Sequence, residues 1–587
     1  MRKVIVSLLL VFTSCISLSA QEIRRGGCTP DLNVEDAAPA RGAGPRQLRA
    51  INTKWDSTRV YRQAVILISY SDTEFQMEHP RETYDSIFNF SGYNQRKGPG
   101  CAAEYFREQS RGLFNLKFDV YGPVKVKSVA QPYANPTEKT RNYARNVLEE
   151  ATKYVVDSMN VDFTPYDWNN DGKVEQVIYI CAGYTGNQSS AISYGHIWPN
   201  TASFTKITTP SGKSISNYTA SAEMWINGVS CGIGTVIHEY THSLGLPDIY
   251  PTSDNGGYSV VDEWDLMDGG NFTNYGWCPP NYTPLEKMLL GWIQPVELVG
   301  PQTVRNLKSI ADGGDVYRIK HSDNEWLLIE NRQQKGWDYG LPGKGLVIFH
   351  VNYDSSSWTS NAVNANKQKR RFNLVNADNM DYDSWVNYVM TWEKHTQYQN
   401  SGHMNSNLLS TSPYPWFTDS TTFVNNSLTD NSVPPAKMNE PNSEGSLMLS
   451  KSITNIVQNA DGTITFDFMA DIAKCATPTI SYENGRIHFQ CDTEGVKFVS
   501  KVTTPESMEG EGDDLALATR YTITVYAVAE GYADSDTVTG TLTLTDEGLI
   551  GENIEVISKK YRDADVNKDG FVDVADISAV ITTMANE

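Results

Sequence analysis

The sequence predicts an α+β domain that continues into a β-rich extension, followed by a small β-sandwich and a short loop-and-helix repeat. Three observations support this order. From Arg62 onward, apolar runs of strand length alternate with longer segments of helical periodicity. Near Lys474 the composition changes to short apolar runs separated by turns. Beyond residue 549, a loop rich in Asp and Asn precedes an apolar helix at residues 577–584.

These changes divide the chain into predicted segments. Residues 1–20 and 21–60 precede the α+β domain at 61–300, the β-rich extension at 301–473, the β-sandwich at 474–548 and the terminal repeat at 549–587. With 587 residues, 40% of them hydrophobic and 11% aromatic, the chain can bury several cores. The net charge of −21 argues against nucleic acid and anionic membranes as partners.

Residues 1–20 are typical of an export signal. Basic residues precede an apolar core at residues 4–12, and a polar stretch of small residues follows. This pattern predicts a signal peptide cleaved before Gln21, and therefore a secreted, extracellular or cell-surface protein. A lipoprotein signal using Cys15 is the alternative, but Phe12 stands where a smaller aliphatic residue is expected. No other stretch of the sequence is apolar enough to cross a bilayer.

Cysteine usage singles out one thiol. The chain has eight cysteines, and removal of the signal with Cys15 leaves an odd number. Those that remain are Cys28, Cys101, Cys181, Cys231, Cys278, Cys475 and Cys491. Cys475 and Cys491 fall within one small module and could pair. Cys28 stands apart, in a leader segment rich in Ala, Gly, Pro and Arg.

The first half of the α+β domain alternates strands and helices. Strands are predicted at residues 64–70, 114–121 and 174–181, and helices at 100–111 and 140–159. This order suits the upper, sheet-containing half of a domain that stands above a cleft.

A polar loop follows the long helix. Asp167, Asn169, Asp171 and Glu175 place oxygen donors at alternate positions around Gly172. This spacing resembles a calcium loop, and the acidic composition favours calcium binding. The alternative is a turn rich in Asp and Asn that caps the next strand without any metal.

The run from His238 to Asp248 carries the strongest signal for chemistry. On a helix, His238 and His242 lie one turn apart, so both imidazoles project from one face and can bind one zinc ion. Glu239 lies beside them, suited to accept a proton rather than to bind the metal. Gly245 can leave the helix in a left-handed conformation, which lets Asp248 turn back as a third ligand.

The alternative is a surface helix that carries two histidines by chance. The surrounding sequence favours the metal site, because residues 232–237 are small and apolar, as in a buried helix start. About twenty residues further on, residues 264–270 form a predicted tight turn around Met267. Metzincin-type peptidases place such a turn beneath the metal, although a methionine in a Gly-rich turn is usually only a packing residue.

With its pattern HExxHxxGxxD, the chain resembles the immune inhibitor A family of secreted bacterial metallopeptidases. Further segments similar to that family lie at residues 64–68, 104–110, 197–199, 287–292, 330–332 and 345–350, so the resemblance covers roughly residues 64–470. It implies a zincin, metzincin-like fold and zinc endopeptidase activity, with His238, His242 and Asp248 as ligands. Protein or peptide substrates follow from that activity.

The predicted mechanism is hydrolysis of a peptide bond by a zinc-bound water. Glu239 takes the proton and passes it to the leaving amine. His196 is a speculative donor to the transition state. Two alternatives stay open: a catalytically silent adhesin or scaffold, and a zinc hydrolase that acts on glycoconjugates.

Cys28 could keep such an enzyme latent. A thiolate is a good fourth zinc ligand, so a leader cysteine could displace the water until the leader is removed. Arg41, Arg46 and Arg49 offer sites for that cleavage. The alternative is an unpaired cysteine in a flexible leader.

The later segments carry weaker signals. Glu330 and His350 lie on predicted strands of the 301–473 extension, where structural pairing is expected rather than catalysis. The 474–548 module alternates short strands with turns and is expected to bind or to act as a spacer.

The terminal repeat has a calcium-binding pattern. Its oxygen donors follow the EF-hand spacing around Gly570, and they are Asp565, Asn567, Asp569, Asp573 and Asp576. With the apolar helix that follows, the segment resembles a dockerin repeat, which implies Ca²⁺ binding and a cohesin-like or cell-surface partner. Dockerins normally have two repeats and only one is evident here, which puts cohesin binding in doubt.

Overall fold

The computed structural model describes residues 53–132, 138–187, 196–225, 228–253, 259–380, 409–417, 424–470, 475–483, 486–503, 518–529, 535–545 and 557–558. The predicted signal peptide, Cys28 in the leader, and the terminal loop with Asp565, Asn567, Asp569, Asp573 and Asp576 lie outside these residues. The described residues divide into two compact units. The first runs to Leu298 and continues over Val304–Phe466, and the second comprises Val299–Thr303 and the described residues from Asp467 onward.

A five-stranded sheet forms the upper half of the first unit. Its strands are β1 (Val60–Ser69), β2 (Asn115–Lys125), β3 (Val177–Tyr184), β4 (Asn200–Thr208) and β5 (Ser214–Met224), in the order β2-β1-β3-β5-β4. The edge strand β4 runs antiparallel to β5, while the other neighbours are parallel. The predicted strands are confirmed, with ends that differ by a few residues.

The helices of this half are α1 (Pro80–Asn89), α2 (Ala102–Gln109) and α3 (Glu138–Lys153). Two of these three, α2 and α3, were predicted, and α1 was not. Helix α2 starts at Cys101, whose sulfur accepts from the Glu104 amide while the Glu104 carboxylate accepts from the Cys101 amide. The predicted 140–159 helix ends its regular part at Lys153 and continues as one π-helical turn, Tyr154–Ser158.

Strand β1 separates two hydrophobic cores. Its central residues are fully buried on both faces, as expected for a parallel strand that reads as one apolar run. Val65 and Leu67 belong to the core that also contains α1, α2 and the apolar side of the histidine-bearing helix. Ala64, Ile66 and Ile68 face a second core lined by α3. The side-chain alternation of one strand therefore determines which side of the sheet holds the histidines.

The extension is part of the first unit. A second sheet has the order β11-β10-β9-β8-β6. Its strands are β6 (Val296–Glu297), β8 (Tyr317–Lys320), β9 (Glu325–Arg332), β10 (Gly345–Asn352) and β11 (Phe372–Leu374). Phe349, Phe372 and Trp358 lie in the same core as the histidine-bearing helix. Described residues of the upper half and of the extension therefore contribute to one of the two cores, the one that holds the histidine-bearing helix.

The other described α-helices and strands up to Phe468 are short. They are α4 (Gly234–Ser243), α5 (Pro284–Leu289), β7 (Gln302–Leu307), α6 (Ser355–Thr359), β12 (Trp416–Phe417), β13 (Val424–Asn425), β14 (Ile453–Gln458) and β15 (Ile464–Phe468). Strands β14, β15 and β7 form a three-stranded sheet, and β12 pairs with β13.

Glu330 and His350 take the structural roles expected of them. The Glu330 carboxylate pairs with Arg332 at 2.5 Å, and both side chains are buried. The His350 Nε2 atom lies 2.7 Å from the Glu325 carboxylate. Both are pairs within or between neighbouring strands, as expected for structural pairing.

The second unit is built from antiparallel strands. β16 (Thr479–Glu483) pairs with β17 (Arg486–Gln490), and a second sheet runs in the order β18 (Lys497–Thr503), β19 (Ala518–Val528), β20 (Val538–Thr545) and β21 (Ile557–Ser558). Its small core is formed by Ile480, Ile523, Val525, Val538 and Leu542.

Cys475 and Cys491 of this unit were expected to be able to pair. The pairing of Cys475 with Cys491 is wrong for this structure, because both are thiols and the Cys491 sulfur instead lies 3.0 Å from the Ala476 carbonyl oxygen. Among the helices of the described residues, none has the length and apolar character needed to span a bilayer.

Candidate metal centre

Helix α4 carries both histidines and is a core helix. Every residue from Gly234 to His242 is buried, so the chance surface helix considered above does not apply. Its start lies directly on the turn Gly270–Gly276, since a Cβ atom at Gly234 would fall 2.1 Å from the Asn271 carbonyl oxygen. Glycine is therefore required at this position, and the apolar, small-residue lead-in of the sequence has a steric explanation.

The two histidines face one point. Their ring centroids are 5.0 Å apart, at the i, i+4 spacing of one helix face. The Nδ1 atom of His238 lies 2.8 Å from the Leu266 carbonyl oxygen, and that of His242 lies 2.8 Å from the Leu246 carbonyl oxygen. Because a carbonyl only accepts, both Nδ1 atoms carry the proton. This leaves both Nε2 lone pairs for a metal.

Asp248 completes a three-residue cluster. Gly245 follows the helix with φ 103°, a conformation that L side chains rarely adopt, and it turns the chain as expected. The Asp248 Oδ1 atom then lies 3.3 Å from His238 Nε2 and 3.1 Å from His242 Nε2. Within the part of the chain that the structure describes, this is the one group of three or more potential ligands whose atoms all lie within 4.8 Å of one another.

The cluster fits a zinc ion. Tetrahedral zinc with bonds of about 2.0–2.1 Å separates its ligand atoms by about 3.3 Å, close to the distances seen here. Asp248 Oδ1 and Glu239 Oε2 are buried and accept no hydrogen bond from the described residues. Such unsatisfied atoms are costly in a dry interior, and a cation would satisfy the Asp248 oxygen. Two imidazole nitrogens and one carboxylate oxygen also form the donor set of a catalytic zinc site.

The charge of Asp248 is set by its neighbours. Burial alone would raise the pKa of this carboxyl, but in the metal-free site protonated rings of His242 and His238 would hold the pKa well below its usual value. A metal ion would replace those ring protons and favour the same ionised carboxylate.

Glu239 lies next to the cluster without joining it. It is 2% exposed, and its backbone carbonyl accepts a hydrogen bond from Thr201 on the edge strand β4. One carboxylate oxygen has no donor among the described residues. A buried carboxylate with a spare acceptor beside a metal cluster can take a proton from a water molecule.

The predicted turn around Met267 lies under the cluster. Met267 is fully buried, and its amide donates to the Asp265 carboxylate at 2.6 Å. The Met267 carbonyl accepts from the Ile249 amide at 2.8 Å, in the segment that follows Asp248. The turn thus contacts both ligand-bearing segments through its backbone.

Sequence reasoning missed two residues of the site. Asn361, which lies 113 positions after Asp248, hydrogen-bonds to both its backbone and its side chain. Tyr250 stacks on the His238 ring with a centroid distance of 6.3 Å. Asn361 has no local sequence signal, because it comes from the extension and its link to Asp248 exists only in the folded chain.

The predicted calcium loop has other contacts. The Asp167 carboxylate accepts from the Asp171 amide at 3.0 Å, from the Gly172 amide at 2.8 Å and from the Lys213 ammonium at 2.8 Å. The Asn169 side chain also accepts from the Asp171 amide. These contacts match the alternative, a hydrogen-bonded turn. With a lysine on the carboxylate of its first residue, the assignment of Asp167, Asn169, Asp171 and Glu175 to calcium gains no support.

His196 packs edge-to-face on Tyr184, with ring centroids 5.9 Å apart. This ring contact does not test whether His196 donates to the transition state. The assignment of His196 as a donor therefore stays a prediction.

The part of the chain that contains the cluster is similar to a known catalytic domain. Residues 52–287 match the family model described as the immune inhibitor A peptidase M6 catalytic domain. The matched range contains His238, Glu239, His242, Asp248 and Met267, and it ends before Asn361. The matched region is therefore similar to a peptidase catalytic domain.

Two relatives share low sequence identity with this chain. The pre-pro-metalloprotease PrtV of Vibrio cholerae serotype O1 is 22% identical over 245 residues, which cover 37% of this chain and 26% of that protein. Immune inhibitor A of Bacillus thuringiensis subsp. alesti is 27% identical over 269 residues, which cover 38% of each chain. The chain therefore aligns with only about a quarter to two fifths of these relatives.

Proposed function

We propose that this protein is a zinc-dependent endopeptidase with a zincin, metzincin-like catalytic domain. His238, His242 and Asp248 hold the metal, and Glu239 is the catalytic base. One observation carries the proposal: a buried, closely spaced His-His-Asp cluster lies beside an unsatisfied glutamate in a region that matches a metallopeptidase catalytic domain.

The residues divide the chemistry among them. Zinc, when bound, polarises a peptide carbonyl and lowers the pKa of water. The Glu239 carboxylate accepts the proton of the attacking water and passes it to the leaving amine. The Nδ1 hydrogen bonds of His238 and His242 keep both rings in the orientation that ligation requires.

The neighbouring sheet supports a peptide substrate. Strand β4 is the edge of the upper sheet, and its Thr201 side chain hydrogen-bonds to α4 at Glu239. An edge strand offers unpaired backbone groups to an extended chain, which then lies antiparallel or parallel to it. The cleaved bond of a peptide held along β4 is brought to the helix that carries the base.

The place of action and its regulation are further parts of the proposal. The predicted signal at residues 1–20 supports secretion by a bacterium, and substrates are then extracellular proteins. Latency through Cys28 and calcium binding with a cohesin-like or cell-surface partner at the terminal repeat stay predictions, since those residues lie outside the described ones.

The test is hydrolysis of denatured casein by the purified chain after cleavage at Arg49, which removes the leader and keeps the described residues from 53 onward. Chelation should abolish cleavage and added zinc should restore it. Glu239→Gln should bind zinc like the wild type but lose at least about 100-fold in activity, because only the proton acceptor is changed. Glu297→Gln is the matched control, since Glu297 pairs with Arg318 away from the cluster and should keep full activity.

Two outcomes decide against the proposal. Cleavage that is insensitive to chelators, or full activity of Glu239→Gln, contradicts the assigned roles. Zinc binding without peptide hydrolysis favours the alternatives, a silent scaffold or a hydrolase of glycoconjugates.

A further inference from the structure

The side-chain amide of Asn361 holds Asp248 at two points. Its Oδ1 atom accepts a hydrogen bond from the Asp248 backbone amide at 2.6 Å. Its Nδ2 atom donates to the Asp248 Oδ2 atom, also at 2.6 Å. A planar amide that meets both the backbone and the carboxylate fixes the rotamer of the aspartate as well as the path of its loop.

Asn361 is itself held in place. It follows helix α6, with φ 56°, a left-handed conformation that asparagine tolerates better than most residues. Its carbonyl accepts from the Thr252 hydroxyl at 2.7 Å. Helix α6 is anchored by Trp358, which is 3% exposed within the main core.

The residues that follow Asn361 and Asp248 also contact each other. The Asn364 side chain donates to the Ile249 carbonyl at 3.0 Å, and the Ser253 hydroxyl donates to the Ala365 carbonyl at 2.5 Å. Residues 361–365 therefore bind along residues 248–253, and the loop that carries Asp248 is supported over its length.

The two oxygens of Asp248 consequently have separate roles. Oδ2 is occupied by the Asn361 amide, while Oδ1 faces the Nε2 atoms of both histidines and accepts no hydrogen bond. A carboxylate whose second oxygen is hydrogen-bonded is oriented to offer the first to a metal.

We propose that Asn361, contributed by the extension outside the matched catalytic range, is a positioning residue that sets the metal affinity of the His238, His242 and Asp248 cluster. The inference rests on the proposed function, because it assumes that Asp248 is a ligand. It also explains why the peptidase region needs residues beyond 300: the third ligand is oriented from there.

The experiment measures the zinc dissociation constant of the full chain by competition with a chromophoric chelator. Asn361→Gly removes the amide while tolerating the left-handed backbone, and Asn361→Asp keeps the shape but replaces the donor with a like charge. Both should weaken zinc binding about 10- to 100-fold. Asn379→Gly is the matched control, because Asn379 has the same φ of 56° and is exposed.

A second readout separates positioning from general destabilisation. The zinc-free Asn361→Asp variant should melt below the zinc-free wild type, because two carboxylates then face each other. The further increase on adding a fixed zinc concentration should also be smaller for the variant, which a purely structural loss would not produce. Excess zinc should restore most of its activity, since Glu239 and both histidines are unchanged.

The outcomes are distinguishable. Zinc affinity within about threefold of wild type in both Asn361 variants overturns the positioning role while leaving the proposed function intact. If the wild type binds no zinc at all, the proposed function itself fails, and the inference fails with it.

Discussion

His238 and Leu266 are joined by a hydrogen bond of 2.8 Å from the imidazole Nδ1 to the backbone carbonyl. The next carbonyl, that of Met267, accepts from the Ile249 amide at 2.8 Å. Adjacent residues of one turn thus contact the helix that carries the histidines and the loop that carries Asp248. The backbone of this turn orients the ligands, while the Met267 side chain fills the core beneath them.

Met267 should therefore be replaceable by an apolar residue of similar volume. Met267→Leu should cost less than about 1.5 kcal/mol of unfolding free energy and leave zinc affinity nearly unchanged. Met267→Ala should cost about 2–5 kcal/mol, because it leaves a cavity under the turn. Urea denaturation and chelator competition measure both, with the exposed Met159→Ala as control. Loss of zinc binding in Met267→Leu would show that the thioether has a direct role.

The buried carboxyl pair formed by Asp265 in the turn and Glu286 on α5 predicts that the stability of the fold depends on pH. Burial raises the pKa of Glu286 to about 7, and it raises the pKa of Asp265 well above its usual value, with Glu286 and Asp268 adding repulsion. Arg332 opposes the shift of Glu286 without cancelling it. The folded state therefore binds a proton that the unfolded state, with a Glu pKa near 4.5, releases.

The stability contributed by this proton is complete below about pH 4.5 and is lost as the pH rises through about 7. Glu286→Gln mimics the protonated form, so its unfolding free energy should fall less than that of the wild type between pH 5 and 8, by up to about 3 kcal/mol. Urea midpoints of the zinc-free proteins across this range measure the difference. Parallel pH profiles of the two proteins would contradict the raised pKa of Glu286.

Arg332 should be the most sensitive ion-pair residue of the extension. It is fully buried, pairs with Glu330 and Asp338, and donates to the Tyr282 carbonyl at 3.2 Å. Arg332→Met should destabilise the protein by about 3–5 kcal/mol, since two buried carboxylates lose their counter-charge.

The matched control for Arg332 is Arg318→Met. Arg318 pairs with Glu297, and both side chains are partly exposed. This change should cost less than about 1 kcal/mol, because exposed pairs contribute little. Equal destabilisation of the two variants in urea would contradict a special role for the buried Arg332, which links β9 to the Tyr282 backbone.

The sequence predicted what depends on short spacing. The i, i+4 histidines, the glutamate between them and the glycine turn to Asp248 lie within one helix and its exit, so local geometry was enough. Strands β1, β2 and β3 and helices α2 and α3 were predicted from their apolar patterns, whereas β4, β5 and α1 were not predicted. The ends of the predicted elements were less accurate, since capping contacts such as Cys101 with Glu104 and the π-helical turn after Lys153 leave weak signals.

Features that depend on contacts between distant parts of the chain could not be predicted from the sequence. The spacing around Gly172 fits a calcium loop equally well as a turn, until Lys213 from the hairpin of β4 and β5 reaches Asp167. Asn361 is an ordinary asparagine in the sequence, and its role follows only from the docking of residues 361–365 on residues 248–253. Cys475 and Cys491 were close enough in sequence to pair, but Cys491 lies against the Ala476 carbonyl instead.

Binding of one zinc ion by His238, His242 and Asp248 can be seen by crystallography of zinc-loaded Glu239→Gln, with anomalous diffraction data at the zinc absorption edge. One anomalous peak should lie about 2.0–2.2 Å from the Nε2 atoms of both histidines and from Oδ1 of Asp248, with the Asn361 amide still on Oδ2. Absence of a peak at this cluster in zinc-loaded crystals, or a zinc ion bound with Asp248 turned away from it, would show that these three residues do not form the zinc site.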